Sequence, residues 1–232
     1  MELIQEFLHY LNPKVIIETL LSWLGNFAYV GLFVIVFVET GLAFGFFLPG
    51  DSLLVVAGLF AAAGKLDLWV MLISLFIAAV LGDAVGYYSG KKVGPAIFKR
   101  PKSRFFNPKH LQRAHEFYEK HGGKTIILAR FVPIVRTFAP IVAGAAQMRY
   151  RDFFIYNVVG GFLWVSSMLF TGYFLGEAVE RALGIKLEDH IEKVVVVVVL
   201  LSITPIFYEY YKERKARKTE VFIEEEISQE IS

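Results

Sequence analysis

Four charged side chains stand in stretches otherwise apolar enough to enter a bilayer: Glu39 and Asp51 early in the chain, Arg130 and Arg136 later. The run Leu128–Gly144, LARFVPIVRTFAPIVAG, also holds Pro133 and Pro140. An arginine at the centre of a membrane helix costs about 2.5–3.5 kcal/mol on insertion scales, and a proline inside a helix about 3 kcal/mol. So many penalties in one run point to function. Arginine is always charged and grips phosphate through two parallel N–H donors. Backbone N–H groups freed near Pro49–Gly50 and Pro133 would add to an anion site, as helix N-termini do. Glu39 and Asp51 are the groups that could exchange protons during transport. Asp83, in LGDAVGYYSG, is a further candidate, or else a polar contact between helices. The plainer alternative is that Glu39, Asp51, Arg130 and Arg136 pair into salt bridges that hold the protein together. Both readings can be true, because an occluded site can be ion-paired when empty.

The elements that must position these residues are membrane helices. Of 232 residues, 56% are hydrophobic, and the mean hydropathy is +0.53; soluble domains run nearer 45–50% apolar. The absence of cysteine excludes disulfides, thiolate catalysis and Cys-ligated metals. Glu2 and Glu6 stand where a signal peptide would be basic, so no cleaved signal is expected. His110, His115 and His121 lack metal-ligand spacing, and neither metal nor cofactor is expected. Nothing points to nucleic acid.

Residues 1–24 repeat apolar positions at helical spacing with Glu2, Glu6, Lys14 and Glu18 between them. This predicts an amphipathic helix in the interface, broken at Pro13, or one packed on the membrane domain. A membrane domain follows over 25–210, and a basic then acidic cytoplasmic tail over 211–232. Within the domain, spans are expected at about 29–44, 68–90, 153–176 and 191–208, since roughly 20 residues cross the hydrocarbon. Segment 91–124, Arg149, Arg151 and the tail are rich in Lys and Arg and read as cytoplasmic, whereas the acidic-leaning 177–190 loop reads as external.

If Lys124 and Arg149 both lie inside, the run 125–148 enters and leaves by one face as a re-entrant hairpin. The same reasoning makes 46–63 a second hairpin dipping from outside. Irregular backbone at that depth is tolerated only where protein or a watery cavity satisfies it. A faint echo links the two: FLPGDSLLVVAG is followed by GYYSG, and FVPIVRTFAPIVAG by GYFLG. Opposite flanking charges then imply an inverted repeat, an arrangement that puts substrate at the midplane between broken helices. In this picture the prolines break the helix and the arginines face a partner at the break. Gly86 and Gly90 are expected at close helix contacts, and Tyr87, Tyr88, Tyr173, Trp69 and Trp164 as interfacial anchors or packing.

ETGLAFGFFLPGDSLL from Glu39, GDAVGYYSGKKVG and ARFVPIVRTFAPIVAGAAQM together resemble the three signature blocks of the DedA family, over roughly 25–210. The resemblance implies an all-α multi-pass membrane protein with two opposed re-entrant hairpins and a cytoplasmic C-terminus, in a bacterial or archaeal inner membrane. It implies flipping of undecaprenyl phosphate or of phosphatidylethanolamine, with coupling to the proton-motive force. The family's acidic pair falls on Glu39 and Asp51, and its arginine pair on Arg130 and Arg136.

The leading expectation is therefore a transporter of a phosphate-headed lipid, with Arg130 and Arg136 on the headgroup and Glu39 and Asp51 carrying protons. A phospholipid flippase or scramblase, and a proton-coupled cation antiporter, are the alternatives within transport. The antiporter leaves two midplane arginines unexplained. A membrane enzyme such as a lipid phosphatase would need a nucleophile, usually histidine, and none occurs between His121 and His190. A purely structural scaffold would keep the salt bridges without lipid turnover.

Overall fold

A computed structural model describes residues 13–42, 50–98 and 123–184, all within the compact unit Met1–Ile191. Every regular element among the described residues is helical: α1 (Pro13–Leu24), a 3-10 turn (Gly25–Phe27), α2 (Ala28–Gly41), α3 (Gly50–Ala62), α4 (Leu68–Phe98), α5 (Lys124–Ala129), α6 (Pro133–Ala145) and α7 (Tyr150–Leu183). The expected N-terminal half of the amphipathic helix, the basic stretch 99–122, the fourth span and the tail lie outside the described residues.

Two helices are long and apolar enough to cross a membrane, Leu68–Gly94 and Tyr150–Ala182. They cover the spans expected at 68–90 and 153–176 and overrun them at both ends or one. At 1.5 Å per residue, α3 and α6, with 13 residues each, reach only about 20 Å against roughly 30 Å of hydrocarbon. These two are interior helices of different kinds. α3 is buried along Leu53–Ala61 without a gap, which is how a helix apolar on every side must pack. α6 turns Phe138 and Val135 outward and Arg136 and Thr137 inward.

The short helix of each half packs on the long helix of the other: α3 on α7, and α6 on α4. Glycine makes both crossings possible. A Cβ on Gly172 would lie 1.9 Å from the Val55 carbonyl oxygen, and one on Gly144 1.9 Å from that of Tyr87. Backbones touch directly at such points, as in membrane helix pairs that associate through small residues. Gly90 is likewise pressed on Ile141, as expected, whereas Gly86 makes a looser contact with Pro140.

The prolines of the opening stretch behave differently from each other. Val132 is extended (φ −113°, ψ 108°) and Pro133 opens α6, because proline pushes the residue before it out of helix and suits the first helical position. Pro140, expected to break the helix as well, sits inside α6. The break therefore falls at residues 130–132 alone. Arg130 caps the end of α5, and Arg136 stands inside α6 rather than at the break.

Candidate functional site

Three helices bring one arginine and two carboxylates together. Glu39 comes from the last turn of α2, Asp51 from the first turn of α3, and Arg136 from the first half of α6. Asp51 is well placed there, since the start of a helix favours negative charge. Arg136 Nη2 donates to Glu39 Oε1 at 2.5 Å, and Arg136 Nη1 donates to Asp51 Oδ1. The guanidinium lies over the Trp164 ring of α7, its Cζ 4.4 Å from the ring centroid. Trp164 Nε1 in turn donates to Asp51 Oδ1 at 2.8 Å. Gly50 is pressed against Glu39, since a Cβ there would lie 1.6 Å from Glu39 Oε2.

Burial is uneven. Glu39 and Arg136 are almost wholly enclosed, whereas a third of the Asp51 side chain is exposed. The site therefore opens on its Asp51 side. Both amino groups of Arg136 are taken up by carboxylates, and a charge buried this deeply is tolerable only when paired in this way.

Arg130 belongs to a second cluster. Its Nη2 donates to Asp83 Oδ2 of α4 at 2.5 Å and to Asn157 Oδ1 of α7. Asn157 Nδ2 then donates to the Val80 carbonyl at 3.1 Å, tying α7 back to α4. Arg130, Asp83 and Asn157 are all fully buried. The four residues Glu39, Asp51, Arg130 and Arg136 thus do not pair only among themselves: Asp83 is the carboxylate on Arg130, while Glu39 and Asp51 both go to Arg136.

Two polar residues of the site escape the sequence reading. Trp164, read as an anchor or packing residue, holds Asp51 and covers Arg136; Asn157 was not singled out. The available signal is a stripe on α7. Asn157, Gly160, Gly161 and Trp164 recur at helical spacing on one face, and the two glycines make room for the Arg130 side chain. Tyr87 does behave as packing: it is buried with Ile126, Ala143 and Phe153, and its hydroxyl donates to the Met148 carbonyl. Trp69 and Tyr88 are exposed on α4, as interfacial residues would be. His110, His115 and His121 lie outside the described residues.

Comparison with known proteins points to one family of membrane proteins. The VTT domain family matches residues 48–174. Protein DedA of Escherichia coli K12 is 44% identical over 208 residues, covering 89% of this chain and 92% of that protein. An uncharacterized membrane protein of Mycobacterium tuberculosis H37Rv is 39% identical over 196 residues, 84% of this chain and 83% of the relative. Inner membrane protein YqjA of Escherichia coli K12 is 35% identical over 173 residues, 75% and 74% of the two chains. No solved structure matches the chain. A matched domain over more than half of the chain, with relatives this similar along most of their length, makes the chain a member of the DedA family of VTT-domain membrane proteins.

Proposed function

We propose that this protein is a transporter, not an enzyme, that carries a phosphate-headed lipid across the inner membrane, with undecaprenyl phosphate as the leading substrate and protons as the coupled ion. The observation that carries the reading is the pair of buried guanidiniums, Arg136 enclosed between Glu39 and Asp51 and Arg130 held on Asp83. Planar, always-charged donors suit a phosphate monoester, and the exposed side of Asp51 opens this region to an incoming headgroup. The helix–break–helix of α5 and α6 supports a re-entrant hairpin over 125–148, and the buried α3 supports its counterpart over 46–63. Their reciprocal packing on α7 and α4 supports an inverted repeat. The similarity to the inner membrane protein YqjA supports an inner-membrane location, and the basic segments support a cytoplasmic C-terminus. Among the described residues, Glu39, Asp51 and Asp83 face Arg130 and Arg136, so a single proton balances the cluster, which supports proton coupling.

The test is exchange of a fluorescent short-chain polyprenyl phosphate between leaflets of liposomes holding the purified protein. Its rate should rise with protein and respond to an imposed pH gradient, while a phosphatidylethanolamine analogue lags behind. Exchange no faster than in empty liposomes would overturn transport. Equal rates for the two lipids would replace the phosphate monoester with phospholipids in general.

A further inference from the structure

Arg136 and Arg130 differ in what remains free. Arg136 has both amino groups engaged and one face covered by an indole. Arg130 spends a single nitrogen, Nη2, on both Asp83 and Asn157. Its Nε and Nη1, and Asp83 Oδ1, have no hydrogen-bond partner among the described residues, although all are enclosed. A guanidinium and a carboxylate built only to hold helices together would meet through two parallel bonds. Buried donors left over beside a one-point contact mark a place for a further partner. α7 is packed directly on this side chain through Gly160 and Gly161, where added Cβ atoms would come within 3.0 Å of Arg130 Cδ and 3.4 Å of Nη2 respectively, so a further partner must take the place of Asp83 and not a vacant space. Arg130 also stands at the break between α5 and α6, outside a continuous helix.

We propose that Arg130, held by Asn157, is the station on which the anionic headgroup lands, and that Asp83 is a built-in counter-anion which the phosphate displaces. This rests on the phosphate-lipid reading above and divides the labour within it. Arg136 with Glu39 and Asp51 stays closed when the anion arrives, and Arg130 opens. Asp83 is here a positioning residue: it competes with the substrate for Arg130 and restores the guanidinium after release.

The experiment is binding of decyl phosphate to the full-length protein in neutral detergent, read as a saturable thermal shift, with decyl maltoside as the uncharged control. Asp83→Asn removes the competitor and should bind decyl phosphate roughly tenfold more tightly, the size expected of one charge-assisted hydrogen bond. In liposomes the same variant should show a lowered KM and a lowered maximal rate. Asn157→Asp keeps size and adds a second competitor, so it should bind about tenfold more weakly by the same measure. It remains informative if Asp83→Asn does not fold. Arg130→Lys should weaken binding far more than Arg136→Lys does. Wild-type protein that binds decyl phosphate while Asn157→Asp, and Asp83→Asn where folded, bind it equally well would overturn the counter-anion and leave the phosphate reading standing. No binding by any form would overturn both.

Discussion

Arg136 answers to two carboxylates and an aromatic face at once, which makes it a demanding position for substitution. Lysine keeps the charge but offers a compact point donor in place of a planar fork. Arg136→Lys should therefore retain expression and most of its thermal stability while losing at least roughly tenfold in lipid transport. Stability falling in step with activity would instead make the ion pairs structural. Trp164→Phe keeps an aromatic ring but removes, at a fully buried position, one ring of the indole together with the N–H that reaches Asp51. Its expected cost is about 1–3 kcal/mol in unfolding in detergent, the lost hydrogen bond plus the cavity left behind. The carboxylates are separable by shape-conserving changes. Glu39→Gln and Asp51→Asn should reach the membrane and lose the pH-gradient dependence of transport; gradient dependence unchanged in both would refute the proton-carrier role.

Among the elements, the crossings of α3 on α7 and α6 on α4 set how closely the two clusters approach. Gly172→Ala and Gly144→Ala each place a methyl about where a backbone oxygen already lies. Overpacking of this kind costs about 1–3 kcal/mol, so both variants should melt lower than wild type and transport less. Gly86→Ala meets no atom nearer than the Pro140 ring at 3.3 Å and should be much milder. Equal melting temperatures for all three would mean that the helices are not packed backbone to backbone. The elements were legible in unequal measure. α4 and α7 stood out as long apolar runs, and Pro133 marked the start of α6. Pro140 misled, because proline weakens a helix without ending it when surrounding contacts hold the turn. Pro140 deletes the N–H that would otherwise bond the Arg136 carbonyl and crowds that carbonyl with its ring, a local cost that the packing of α6 on α4 offsets.

At the scale of the molecule, orientation in the bilayer is the quantity that ties the hairpins to opposite faces. Single cysteines can be added to this cysteine-free chain at positions 102, 184 and 215. Those at 102 and 215 should react with an impermeant maleimide only from the cytoplasmic side, and that at 184 only from outside. External labelling at 102 would remove the basis for both hairpins, because each assignment depends on that segment being inside.

By itself the sequence determined the class: an apolar, all-helical membrane chain, its family, and the four charged residues that apolar surroundings made conspicuous. Isolated charges in a bilayer cost too much to be incidental, so their presence is visible without coordinates. Pairing was decided by the tertiary structure. Nothing in the chain says that Asp83 answers to Arg130 while Glu39 and Asp51 share Arg136, because each contact joins helices far apart in sequence. Trp164 and Asn157 entered the site for the same reason. Helical periodicity puts them on one face of α7, but only the packing of α7 against α3 and α4 decides what that face meets.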